Sequence, residues 1–228
     1  MKIIIENVSK TFIKDKEKLN VLKNLSVTFE SGKLYAIVGK SGAGKSTFLK
    51  CLAALNKADS GSIYFDDIEI NKLNDKEISR FRNEKIGIVF QEFNLLEFLN
   101  TYENIALPLV INGKYKLEDV ELKGKVGKLL EFVDLSDRNK HYPKELSGGE
   151  QQRIAIARSL INDPDVIFAD EPTGSIDKGN STNILKLLKK ISKDKCVIIV
   201  THDDNVLKYA DEIYNLKNGC LEKYESKK

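Results

Sequence analysis

No apolar run in this 228-residue sequence approaches the roughly 18 residues of a membrane-spanning helix. The opening offers three consecutive isoleucines, Ile3, Ile4 and Ile5, before Glu6 interrupts, far short of a signal-peptide core. Cysteine is scarce. Cys51, Cys196 and Cys220 stand apart, odd in number and with neither metal-ligand spacing nor a disulfide framework, which fits a reducing compartment and reads as packing. A dominant charge is missing too: 37 basic and 34 acidic side chains are mixed along the chain for a net +3, so there is no basic stripe to track a phosphodiester backbone. Nucleic acid is not an expected partner. Internal repeats and low-complexity linkers are absent, and the lysine-rich stretch from Glu222 to Lys228 reads as a solvated tail.

What remains is an ordinary globular composition, 41% apolar and 31% charged, long enough for one elaborated domain or a core with a subdomain. Four short runs are almost continuously apolar and rich in β-branched residues: Leu34 to Val38, Ile86 to Phe90, Val166 to Ala169 and Cys196 to Val200. Such runs predict strands covered on both faces in a mostly parallel sheet. Each is followed by chemically capable residues: a glycine-rich loop after the first, Gln91 after the second, Asp170 and Glu171 after the third, Thr201 and His202 after the fourth. The carboxyl edge of an open α/β sheet is where ligands bind. Shorter alternating runs, Ile3 to Val8, Asn20 to Phe29 and Ser62 to Phe65, predict an antiparallel β layer near the start. Between about Glu92 and Ile161 the period turns helical, with Val126, Leu129, Leu130 and Val133 on one face.

Residues Gly39, Lys40, Ser41, Gly42, Ala43, Gly44, Lys45, Ser46 and Thr47 form a phosphate-binding loop pattern between a predicted strand and a predicted helix. Glycines let backbone N–H groups converge on phosphate oxygens, and the helix that follows adds its positive N-terminal dipole. In this chemistry Lys45 bridges the outer phosphates and the Ser46 hydroxyl ligates Mg²⁺. Kinases, GTPases and many motors share such a loop, so it does not by itself name a function.

A second segment narrows the choice. Leu146, Ser147, Gly148, Gly149, Glu150, Gln151, Gln152 and Arg153 precede a helix whose apolar face runs through Ile154, Ala157, Leu160 and Ile161. This octet resembles the signature sequence of the ABC ATPase family. Val166 to Glu171 is similar to the family's Walker B segment, which implies that Asp170 holds magnesium, directly or through water, and that Glu171 polarises the attacking water. The resemblance further implies that Gln91 contacts magnesium or water, that His202 reaches the γ-phosphate, and that Ser175 and Asp177 lie at a dimer contact. Phe12 falls where an aromatic stacks on adenine, a place more often taken by tyrosine; the competing reading is a core phenylalanine. Ile176 stands where leucine is usual, which preserves the apolar character.

The resemblance covers essentially the whole chain and carries definite expectations. The fold is an α/β P-loop NTPase of the RecA-like kind, a single domain over 1–228: a nucleotide-binding core over residues 1–91 and 162–228 with a mostly parallel sheet and an N-terminal antiparallel β subdomain, and an inserted α-helical subdomain over 92–161 that carries the signature. The activity is hydrolysis of ATP with Mg²⁺ by a homodimer, each ATP lying between the loop of one subunit and the signature turn of the other. The protein would sit in the cytoplasm, held at the inner face of the membrane by an integral-membrane permease. The segments Phe90 to Leu96 and Thr101 to Leu109 resemble the branch of lipoprotein-release, macrolide-exporter, cell-division and bacitracin-type peptide-resistance ATPases. A macrolide-exporter or cell-division type permease is the partner this implies, with Phe93, Leu95, Leu96, Phe98 and Leu99 helping to line the groove for its cytoplasmic helix. A single loop and a single signature argue against a two-cassette ribosome-acting protein, and the interval from Thr47 to Leu146 has no room for the coiled coil of chromosome or repair ATPases. Cargo, direction of movement, and transport as against mechanical signalling are left open by the sequence.

Overall fold

The computed structural model describes residues 1–14 and 17–224, with the side chains of Lys14 and Lys178 set aside. In chain order the strands are β1 (Lys2–Lys14), β2 (Glu17–Glu30), β3 (Leu34–Val38), β4 (Ser60–Phe65), β5 (Ile68–Glu69), β6 (Ile86–Val89), β7 (Val166–Asp170), β8 (Cys196–Thr201), β9 (Glu212–Lys217) and β10 (Cys220–Lys223). The helices are α1 (Lys45–Leu52), α2 (Asp75–Lys85), α3 (Thr101–Ile111), α4 (Val120–Phe132), α5 (Gly148–Leu160) and α6 (Lys178–Ile191).

One sheet runs in the order β10-β9-β3-β8-β7-β6, parallel throughout except for the antiparallel edge strand β10. The other, β2-β1-β4-β5, is antiparallel. The apolar runs of the central strands are explained by what lies on each face. Leu34 and Ala36, Ile167 and Ala169, Val197 and Ile199 point into one core, which they share with Ile105, Val126, Leu130, Ile154, Ala157 and Leu188 of the helices. The alternate residues Tyr35, Ile37, Phe168, Ile198 and Val200 point into a second core with Ile3, Phe29 and Phe65 of the antiparallel sheet and Phe48 of α1. Side chains alternate across a strand, so a strand buried on both faces cannot afford polar positions.

The expected fold class is therefore the observed one. All four predicted central strands are present, with β7 and β8 each extending one residue further than the sequence suggested. The helical face read from Val126, Leu129, Leu130 and Val133 belongs to α4, where Val126 and Leu130 are buried and Val133 follows as the cap. Helix starts are set by reciprocal side-chain caps: Asn74 with Glu77 in α2, Asn100 with Glu103 in α3, and Ser147 with Glu150 in α5. Each satisfies amide groups that a helix cannot pair internally, worth about 1 kcal/mol.

Two expectations need correction. Cys51 and Cys196 are buried as packing residues, but Cys220 is exposed, because β10 is an edge strand with one neighbour. Glu222 and Lys223 are not tail; they pair with Asn215 and Tyr214 in β10. Residues 225–228 of that expected tail lie outside the described residues.

Candidate nucleotide site

The turn from β3 into α1 is shaped by glycines that nothing else can replace. A Cβ on Gly39 would fall 2.4 Å from the carbonyl oxygen of Leu216, and Gly44 combines a φ of +100° with a Cβ position 2.8 Å from Val21 Cγ1. Gly44 is also the N-cap of α1 and offers no side-chain acceptor to the helix, so the first amide donors of α1 remain available to an anion. Lys45 is buried, its ammonium donating to the carbonyls of Gly39 (2.8 Å) and Lys40 (3.3 Å) and lying 3.8 Å from Oε1 of Glu171. A buried ammonium satisfied mostly by loop carbonyls is matched to an anionic guest.

At the carboxyl edge of the sheet, β7 ends on Asp170 and turns sharply at Glu171, whose φ of +46° is strained for a side chain of this size. The turn is held by a bond from the Glu171 amide to the Val200 carbonyl (2.9 Å). Its carboxylate is held from three directions. Oε2 accepts from the Thr201 hydroxyl (2.8 Å) and the His202 amide (3.2 Å), and Oε1 lies 2.9 Å from His202 Nδ1. Gln91 lies exposed over Gly174, where an added Cβ would come 3.2 Å from its Nε2.

These elements enclose a cavity of about 640 Å³. Ser41, Gly42, Gly44, Lys45, Ser46 and Thr47 line it from the loop, with Gln91, Glu171 and His202 along the sheet edge and Phe12 and Val21 from the antiparallel sheet. Phe12 is 39% exposed, which removes the reading of a core phenylalanine. Gly39, Lys40 and Ala43 complete the loop without lining that cavity; Lys40 and Ala43, together with Ser41 and Gly42, face a neighbouring cleft. An open space of this size lined by both an aromatic ring and an ammonium suits a nucleotide.

Magnesium can be tested on the donor set. Ser46 Oγ donates to Asp170 Oδ1 at 2.8 Å. Burial pushes the Asp170 carboxyl above its ordinary range, opposed by the Ser46 hydrogen bond and by Lys50 and Lys45. A hydroxyl and a partly desolvated carboxylate side by side fit a hard cation that completes its shell with phosphate oxygens and water. Among the described residues no cluster of three or more histidine, cysteine, aspartate or glutamate side chains is placed to hold a metal ion.

Ser147, Gly148, Gly149 and Glu150 are not brought to this cavity; they form the first turn of α5. Glu150 Oε2 accepts from the amide (2.9 Å) and hydroxyl (2.8 Å) of Ser147, and Oε1 from Arg138 Nε (3.0 Å). Those Ser147 bonds, with Arg138 behind them, bring the Glu150 carboxyl down to about 2. Ser175 and Asp177 are exposed nearby. Asp177 caps α6 through the amides of Gly179 and Asn180, and an added Cβ on Gly149 would lie 2.7 Å from Asn180 Cγ. Sequence reasoning missed Thr201 as the partner of Glu171, Val21 as a wall of the cavity, and Arg138 as the tether of Glu150. Only Thr201 had a sequence signal, its place at a strand end.

Fold and site together define a P-loop nucleotide hydrolase with an added helical segment bearing a second glycine turn. The family model described as "ABC transporter" matches residues 22–174. A curated relative, the uncharacterized ABC transporter ATP-binding protein MJ0796 of Methanocaldococcus jannaschii, is 41% identical over 226 residues, covering 98% of this chain and 96% of that protein. The lipoprotein-releasing system ATP-binding protein LolD of Treponema denticola is 42% identical over 222 residues, 96% of this chain and 97% of its own. Among solved structures, a dimeric post-hydrolysis state of the MJ0796 cassette bound to ADP and Pi superposes with a TM-score of 0.88 at 38% identity, covering 98% of this chain and 99% of that one. The chain belongs to the ABC transporter family and is an ATP-binding, ATP-hydrolysing cassette of it.

Proposed function

We propose that this chain is the motor subunit of an ABC transporter, working as a homodimer that closes on two Mg-ATP and reopens after hydrolysis. The observation that carries the reading is the separation, within one chain, of two anion-seeking helix starts. The start of α1 faces the cavity and the start of α5 does not, so a second copy can bring its Ser147 turn to a triphosphate held by Lys45. The dimeric arrangement described for the related MJ0796 cassette supports this.

In that cycle Phe12 stacks on the base, while the backbone from Gly39 to Thr47 and the ammonium of Lys45 hold the phosphates. Magnesium, held by Ser46, Asp170 and Gln91, would neutralise charge developing between the outer phosphates. Glu171 orients water and takes its proton, and His202 and Thr201 fix the carboxylate for that task. Ser175 and Asp177 meet the second copy. We further propose that residues 92–161 act as a helical subdomain that passes the nucleotide state to an integral-membrane permease. Phe98, three-quarters exposed, leads the candidate contact with Phe93, Leu95, Leu96 and Leu99. No helix among the described residues is long and apolar enough to cross a membrane, so attachment at the inner face would come through that permease.

The likeness to LolD supports a partner of the lipoprotein-release or macrolide-exporter kind and work such as lipoprotein extraction, export or peptide resistance. The same cycle would also serve a cell-division type partner moved mechanically without cargo. Glu171→Gln tests the motor: it should stop turnover and trap an ATP-dependent dimer by light scattering, and a monomer at saturating Mg-ATP would contradict it. Introducing a charge with Phe98→Glu should break permease association; transport and association that both persist would remove the coupling surface.

A further inference from the structure

Gln152 sits on α5 five residues beyond Ser147 and is fully buried. Its Nε2 donates to the carbonyl of Pro172 at 2.9 Å and reaches the carbonyl of Phe90 at 3.4 Å. Pro172 directly follows Glu171, and Phe90 directly precedes Gln91. One amide thus holds the backbone beside both residues that meet the nucleotide's outer end. Its Oε1 is buried and accepts no hydrogen bond among the described residues. As core filler this is a poor choice, since a thioether of similar volume would fill the space without a desolvated oxygen. The donor, not the volume, is what this position contributes.

The rest of α5 reinforces the grip. Arg158 donates to the carbonyls of Asn94 (2.6 Å) and Phe93 (2.9 Å), so the segment around Gln91 is held by the same helix on both sides. At the helix start, a Cβ on Gly148 would lie 3.5 Å from Phe93 Cζ and 3.6 Å from the Ser175 carbonyl oxygen. A helix moves as a rigid rod, so displacement of its first turn is delivered at Gln152.

We propose that Gln152 is a positioning residue that couples the two nucleotide sites of the dimer. It transmits engagement of the Ser147 turn, which faces the partner's triphosphate, to Glu171 and Gln91, which serve the triphosphate of their own subunit. The inference rests on the homodimeric reading above. A shift of about 1 Å in a reacting group is enough to change turnover by roughly a hundredfold, so a hydrogen-bonded linkage of this length is an adequate relay.

The test uses mixed dimers of the full chain, co-purified on two tags at concentrations where light scattering shows complete dimerisation. The partner subunit carries Glu171→Gln, so only the working subunit hydrolyses ATP, and because the partner's site holds the dimer closed the rate is read as a single turnover of pre-bound ATP. Adding Ser147→Arg to the working subunit leaves every direct contact to its own nucleotide intact, because its signature turn faces the partner's. Turnover should nevertheless fall roughly fivefold or more, a coupling of ordinary size. Gln152→Met in the working subunit should collapse that ratio toward one while monomer affinity for ATP stays unchanged. Gln152→His, which retains an N–H donor, should give an intermediate ratio and serves also if the methionine variant does not fold. No effect of Ser147→Arg, or an undiminished effect with either Gln152 variant, overturns the proposal. Absence of even a single turnover in the parent mixed dimer, with wild-type homodimers equally inactive, would instead sink the motor reading.

Discussion

The hydroxyl of Ser46 donates to Asp170 across 2.8 Å, joining the first turn of α1 to the end of β7 over 124 residues of sequence. That bond only partly offsets the burial that raises the Asp170 carboxyl. An acid raised in the folded state adds stability that is full below its ordinary value of 3.8 and is lost as pH rises through the raised value. At neutral pH the ionised Asp170 therefore weighs against the nucleotide-free fold. Asp170→Asn should raise the melting temperature of nucleotide-free protein at pH 7, by about 2–4 °C if the change is near 1 kcal/mol, with the gain shrinking toward pH 4. The same variant should lose the extra stabilisation that Mg²⁺ adds to bound ATP. A melting point unchanged or lowered at pH 7 would contradict this account.

Thr201 supplies the shortest bond to the Glu171 carboxylate and in turn accepts from the Asp203 amide at 3.0 Å. It is fully buried, so it acts through geometry and not by touching nucleotide. Thr201→Val keeps the shape and removes the donor. Turnover should drop by roughly tenfold, equivalent to about 1.4 kcal/mol, while ATP affinity measured by fluorescence titration stays as it was. Equal losses in both would show that Thr201 holds the cavity itself.

Much of this site was legible because its chemistry is contiguous in sequence. The loop from Gly39 to Thr47 and the pair Asp170 and Glu171 each follow a short, β-branched apolar run that reads as a buried strand. Thr201 escaped because its partner lies 30 residues away, a distance set by parallel pairing of β7 with β8. Strands β9 and β10 escaped for another reason. At the sheet edge Glu212 pairs with Lys33 (2.8 Å) and Lys223 (2.8 Å), so these strands carry charges where the central ones are apolar. The tether of Arg138 to Glu150 spans 12 residues, including a short 3-10 helix at Pro143–Glu145, and could not be read from residue types.

Cysteine chemistry offers a check on burial alone. Desolvation pushes the thiols of Cys51 and Cys196 up to about 11 and about 12, whereas Cys220 is exposed on the edge strand. Thiolate is the reactive form. A chromogenic disulfide at pH 8 should titrate one thiol quickly in native protein and all three after denaturation. Two fast thiols would mean that α1 or β8 opens far more readily than its packing implies.

Glu150 gives a pH signature at the start of α5, away from the nucleotide cavity. Its carboxyl is lowered from 4.5 to about 2, first by the Ser147 amide and hydroxyl and then by Arg138. A depressed acid contributes stability that is present above its ordinary value and is lost as pH falls through the folded one. Glu150→Ala removes the reciprocal cap of α5 and should cost about 1 kcal/mol at pH 7 by urea denaturation. The cost should be smaller at pH 3, where the unfolded carboxyl is already largely protonated and the folded state no longer holds the same advantage. An identical cost at both pH values would assign the effect to lost side-chain packing and leave the ionised carboxylate without a part in holding the Ser147 turn.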